Sequence, residues 1–237
     1  MTVIPNEVLG LRVEVVRSMR RTAALHITGS DLQVRVPEQV GDERVAAFLK
    51  RKRPWIRSKV AEISLIPPHR SKELVSGESF PYLGRNYRLK IQEGHQVGVC
   101  LSGGYLKTTV RPSEQGEQRE SRIQQYLQNW YRSRALERLQ EKTNRYAQQI
   151  GVSPAGVSVR NFKSRWGSCD KQGQVVFNWN IIKASHSVVD YVVIHELCHL
   201  IHPNHSKVFW QLVGRHDTSY PEHRQWLKEK GLDLLTE

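Results

Sequence analysis

With 237 residues, 38% of them hydrophobic, the chain is long enough to bury one large core or two small ones. Lys and Arg outnumber Asp and Glu 36 to 23, a formal charge of +13 that favours an acidic partner such as nucleic acid, an anionic surface or an acidic protein. Cys100, Cys169 and Cys198 are odd in number and far apart, which excludes a disulfide framework and fits a reducing compartment. No basic start with an apolar run follows Met1, and the apolar stretches are too short to span a bilayer. The expected location is therefore the cytoplasm, with no membrane partner.

Short strands open the chain at Arg12–Arg17, Ala23–Thr28 and Leu32–Val36, the last two separated by a Gly29-Ser30-Asp31 turn. Asp42 is placed to cap a helix from Glu43 to about Ser64, with Val45, Phe48, Leu49, Ile56, Val60 and Ile63 on one side. Pro54 falls inside it and predicts a kink or break. Arg44 to Lys59 carries seven cations and no acidic residue. Its bland interpretation is a solvated helix face; its functional one is a nucleic-acid contact. Further strands are expected at Tyr82–Ile91, Gln96–Leu101 and Tyr105–Val110, before a linker from Pro112 to Gly116.

A long amphipathic helix then runs from about Gln118 to Ile150 and stops at Gly151. Strands follow at Val157–Phe162 and Gln174–Phe177, with Trp166-Gly167-Ser168-Cys169 in the loop between them. Helical segments near 187–202, 206–215 and 221–230 close the chain. The pattern shows no internal repeat. It predicts an α+β protein with a mainly β region over 1–112, bearing one basic helix, and a helix-rich region over 113–237.

Seven of the ten histidines lie after position 185, and among them stands His195-Glu196-Leu197-Cys198-His199. On a helix, residues four apart share a face about 6 Å apart along the axis, so two imidazoles can converge on one Zn²⁺. Glu196, about 100° round the helix, can act on water without ligating the ion. The β-branched run Val188–Ile194 favours a strand by propensity, but Val188, Val189, Val192, Val193, Leu197, Leu200 and Ile201 recur at helical spacing. Helix is therefore expected, capped by Ser185 or Ser187.

A catalytic zinc takes three protein ligands and keeps one open position. His202 is on the right face but about 10 Å up an unbroken helix from His195. His205 is the favoured third ligand, because Pro203-Asn204 ends the helix and lets the chain return; Asp217 and Glu222 are acidic alternatives.

The motifs Arg165-Trp166-Gly167-Ser168-Cys169, Phe177-Asn178-Trp179-Asn180, Asp190 through Leu200, Asn204-His205-Ser206, Phe209-Trp210 and Tyr220 through Lys228 together resemble the YgjP-like metallopeptidase family. That family is related to the WLM and SprT-like proteases. The resemblance implies a zincin-like catalytic part in which His205 is the third zinc ligand. The His spacing is also similar to that of metzincins. They are excluded by His202 where they place a turn-forming Gly, and by methionines only at positions 1 and 19, which leaves no Met-turn.

The expected function is thus a zinc-dependent peptidase: one Zn²⁺ on His195, His199 and His205, Glu196 as general base, and a protein or peptide substrate. The strand near Gln174–Asn178 is expected to hold the substrate as an added strand. Arg165, Tyr220 and His223 are candidates for stabilising the oxyanion. Two alternatives remain: a zinc-dependent hydrolase of a nucleotide phosphoanhydride, and a nucleic-acid-associated protease or binding protein. Against the first, the sequence has no Gly-rich phosphate loop.

Overall fold

The computed structural model describes residues 4–64 and 72–235, with backbone alone at 28 and 62–64, so the expected core role of Ile63 lies outside the described residues. The chain divides into compact units spanning 1–69 and 70–237. The sequence suggests a boundary at 112/113; the division instead falls before the second sheet, whose apolar face packs with the helical part.

In the N-terminal unit, β1 (Glu7–Val8), β2 (Leu11–Ser18), β3 (Ala24–Thr28) and β4 (Asp31–Pro37) form a sheet in the order β1-β2-β4-β3. Strands β2 and β4 are parallel, and β3 is antiparallel to β4. Alternation along β4 buries Leu32, Val34 and Val36 against Val45, Leu49 and Ile56 of α1 (Asp42–Ser64). The helix runs through Pro54 instead of breaking there. Pro54 is exposed, so the Lys50 carbonyl that loses its helical donor can turn to water.

The second unit begins with β5 (Ser79–Tyr82), β6 (Arg85–Glu93), β7 (Gly98–Ser102) and β8 (Tyr105–Val110), ordered β5-β6-β8-β7. The single strand expected over 82–91 is split by a turn in which Leu83 and Gly84 both have positive φ. Strand order, the parallel β6–β8 pairing and the helix that follows repeat the arrangement of β1–β4 and α1. Even the turn recurs, since Leu9 and Gly10 have φ of 54° and 81° where Leu83 and Gly84 have 49° and 80°. The chain therefore contains a ββββα repeat that its side-chain pattern does not reveal.

α2 (Gly116–Ile150) ends where Gly151 adopts φ 81° and its N–H returns to the Ala147 carbonyl at 2.9 Å. Its buried stripe, including Ile123, Leu127, Trp130 and Leu139, forms the spine of the larger core. A three-stranded sheet follows in the order β10-β11-β9, from β9 (Gly156–Arg160), β10 (Gly167–Cys169) and β11 (Gln174–Asn178). Residues 167–169, expected in a loop, are one of its two edge strands. A 3-10 turn at Trp179–Lys183 leads into α3 (His186–Cys198), then α4 (Lys207–His216) and α5 (Tyr220–Leu235). The expected mixed α+β class is what the structure has. Among the described residues, no helix is long and apolar enough to cross a membrane.

Candidate metal centre

α3 is helical despite its β-branched run because the core encloses it. Val188, Val189, Tyr191, Val192, Val193 and Ile194 are all buried, so packing overrides local preference. Of the two expected caps, Ser185 is the one used, its hydroxyl accepting the Val188 N–H at 3.4 Å. On the α2 side, Asp190 accepts from Lys142 Nζ at 2.6 Å. The helix closes earlier than the expected 202. His199 is its C-cap, still in right-handed helical geometry at φ −67° and ψ −19°, so the four-residue spacing from His195 survives. Tight Leu200 N–H to Leu197 O and Ile201 N–H to Cys198 O bonds end the turn.

The chain then reverses through Pro203 and Asn204, and exposed His205 returns to the half-buried rings of α3. Potential ligand atoms of His195, His199 and His205 all lie within 4.8 Å of one another, the arrangement needed to hold a metal ion. His205 Nε2 stands 3.0 Å from His195 Nε2. Two nitrogens that close share either a proton or a cation, and burial beside two other imidazoles holds His195 neutral, its pKa pushed down to about 3. At His199, Nδ1–H donates to the His202 carbonyl at 3.1 Å, which leaves Nε2 with its lone pair toward the cluster. An all-imidazole donor set so oriented fits a divalent transition metal.

Of the other ligand candidates, His202 contributes this backbone carbonyl. Asp217 accepts a 2.8 Å hydrogen bond from His223 Nδ1, and neither Asp217 nor Glu222 joins the cluster. Aromatic rings brace the imidazoles. Phe209 stacks on His199 at 4.6 Å, and Trp210 stacks on His205 at 5.5 Å with Tyr220 stacked on Trp210 at 5.4 Å. This support comes from α4 and α5, and its only signal in the sequence is an apolar pair one turn after His205.

Glu196 is buried against β10, where the absence of a side chain at Gly167 makes room for its carboxylate. Burial pushes the Glu196 carboxyl up to about 8, opposed by the Arg165 guanidinium. The cleft above has a volume of 670 Å³ and is lined by residues 165–171 together with the three histidines and Glu196. Arg165 is in that lining, whereas Tyr220 and His223 are not. Trp166 is a cleft wall, while Trp179 is buried in the core.

A model of the YgjP-like metallopeptidase domain matches residues 21–230. The chain belongs to the YgjP-like family. It is thereby placed among metallopeptidases, hydrolases that use a metal and act on peptides. The structure is similar to the crystal structure of the metallopeptidase zymogen of Pyrococcus abyssi abylysin, at 20% identity and TM-score 0.33, over 38% of this chain and 93% of that one. It is also similar to that of Methanocaldococcus jannaschii jannalysin, at 15% identity and TM-score 0.35, over 39% of this chain and 95% of that one. A comparison with curated protein sequences gives no significant match.

The topology corrects the expected substrate strand. β11 is paired on both sides, with β9 and β10, so it has no free edge for a peptide. β9 and β10 are the edge strands, and β10 is the one that lies on the cleft.

Proposed function

We propose that the chain is a zinc-dependent peptidase whose substrate lies along β10. The observation that carries this reading is the convergence of three imidazoles within 4.8 Å beside a buried carboxylate, on a cleft that exposes a strand edge. His195, His199 and His205 would hold one Zn²⁺ and leave it an open position. Bound there, zinc supplies Lewis acidity and brings the pKa of water toward neutrality. Glu196 takes the proton of the attacking water and passes it to the departing amine.

The remaining residues orient the substrate. Ser168 of β10 and its flanking residues Trp166 and Asp170 bond toward β11, as the Asn178 N–H to Trp166 O and Asp170 N–H to Gln174 O contacts indicate. The alternation of an antiparallel ladder then turns the backbone groups of Gly167 and Cys169 outward, where an extended peptide can pair with them. Arg165, exposed on the cleft, is suited to neutralise charge developing on the scissile carbonyl oxygen.

Protein purified without chelator or nickel resin should contain about one zinc per chain by elemental analysis, with the metal largely lost in His205→Ala. Glu196→Gln should keep its metal and lose peptide hydrolysis. Absence of bound metal even after zinc is added overturns the proposal. A second reading, hydrolysis of a nucleotide phosphoanhydride at the same centre, is favoured by Arg165 and Lys171 both lining the cleft. Product analysis with peptides and with nucleoside triphosphates separates the two.

A further inference from the structure

We infer that the N-terminal unit carries a groove for single-stranded nucleic acid, lying between the start of β3 and the basic face of α1. The site is independent of the metal centre, and the inference does not rest on the peptidase reading. The groove has a volume of 540 Å³; α1 contributes Phe48, Arg51, Lys52 and Trp55 to one wall, and residues 22–25 form the other. Positions 48, 51, 52 and 55 follow the spacing that aligns side chains along one helix face. Val45, Leu49 and Ile56 take the buried face with Phe48 packed partly against it, so Arg51, Lys52 and Trp55 are left outside the core.

Its chemistry suits a polyanion with flat bases. Trp55 is 43% exposed, so part of its indole is open to a stacking partner. Lys50, Arg51, Lys52 and Arg53 are consecutive and exposed, and among the described residues no acidic side chain lines the groove. The two acids at the head of α1 lie outside it, and Asp42 is already paired with Arg17. On the opposite wall the small side chains of Thr22, Ala23 and Ala24 leave the floor open, with Arg20 and Arg21 leading directly into it. Among the described residues, β3 is also an edge strand, paired with β4 alone. Cations that track a backbone beside an aromatic ring that accepts any base are the elements of sequence-tolerant single-strand binding. An acidic protein would use the cations but leave Trp55 idle.

The test is fluorescence anisotropy of the full chain with labelled oligo-dT and oligo-rU of about 16 nucleotides, at about 50 mM and about 200 mM salt. Both oligomers should bind, weakening with salt, and the tighter of the two identifies DNA or RNA as the natural source. Arg51→Ala/Lys52→Ala should lower affinity about tenfold and flatten the salt slope by about 1.4, the value for two phosphate contacts on a single strand. Trp55→Ala should lower affinity about tenfold with the slope unchanged. These side chains are on the surface, so circular dichroism, metal content and peptide hydrolysis should match the parent in both variants. Wild-type affinity in either variant overturns the assignment. So does capture of poly-glutamate or phosphatidylserine vesicles in preference to the oligomers, or equal duplex binding indifferent to Trp55.

Discussion

Gly167 on β10 and Glu196 on α3 are packed so closely that no methyl group fits between them. A Cβ built at Gly167 would lie 2.6 Å from both Cγ and Oε1 of Glu196. The glycine is there for contact, since its φ lies outside the left-handed range. Gly167→Ala should therefore displace the carboxylate without disturbing the imidazoles. A misplacement of about 1 Å can cost about 100-fold in rate, so kcat for a peptide substrate should fall by about that factor. Zinc content and melting temperature should stay close to the parent values. Full activity in this variant would show that the position of Glu196 does not matter to the chemistry.

The outward backbone of β10 gives a separate test of how substrate is held. Cys169 is the position where proline removes an outward N–H and spares the bonds to β11. Cys169→Pro should raise KM for peptides roughly tenfold, the worth of one hydrogen bond, with a smaller effect on kcat. The same substitution at Ser168 faces β11 and should damage folding instead. If Cys169→Pro leaves KM unchanged, the substrate does not pair with this edge.

The candidate centre was legible in the sequence where chemistry demands a spacing, and illegible where shape alone does the work. His195, Glu196 and His199 follow from one helix period, and His205 from a helix stop at Pro203-Asn204; the structure brings all four together. β10 has too few residues, Gly-Ser-Cys, to show alternation, so it passes for a loop and leaves β11 as the apparent edge. The ββββα repeat is hidden because strand order depends on pairing, and the two copies share only scattered positions such as the Leu-Gly turns, Gly29 and Gly103, Leu32 and Leu106, and Val36 and Val110. Nor could any pattern show that His202 acts through its carbonyl, since every residue has one.

Trp210 lies nearly parallel to both His205 and Tyr220, so the third imidazole rests on an aromatic stack. Residues that orient a ligand commonly alter metal affinity 10–100-fold when changed. Trp210→Ala should weaken metal binding by about tenfold in competition with a fluorescent chelator, and Trp210→Phe by less. Equal affinity in all three proteins would mean that the 203–206 turn alone fixes His205.

The three thiols should differ sharply in reactivity. Burial pushes Cys198 up to about 12; burial, together with Glu196 and Asp170, pushes Cys169 up to about 11. At about pH 8 their thiolate fractions are on the order of one in ten thousand and one in a thousand. Cys100 is exposed. Iodoacetamide followed by peptide mass spectrometry should find Cys100 modified first and Cys198 last. Early modification of Cys198 in native protein would indicate that α3 opens readily.

Metal removal should be felt as lost stability, because the proposed ligands join separate elements. His195 and His199 belong to α3, while His205 sits after the turn that leads into α4. An ion bound only by the folded chain stabilises it by about 4 kcal/mol when free metal is about 1,000 times Kd. For a unit of this size each kcal/mol corresponds to roughly 2–4 °C, so chelation should lower the melting temperature by roughly 10 °C. Differential scanning calorimetry with and without a chelator measures this directly. His205→Ala should melt near the chelated parent and respond little to chelator, because the bridge from α3 to α4 is already broken. A parent protein whose transition ignores the chelator would mean either that the three histidines hold no ion or that they grip it too weakly to join the two elements. Metal analysis of the same sample distinguishes those cases.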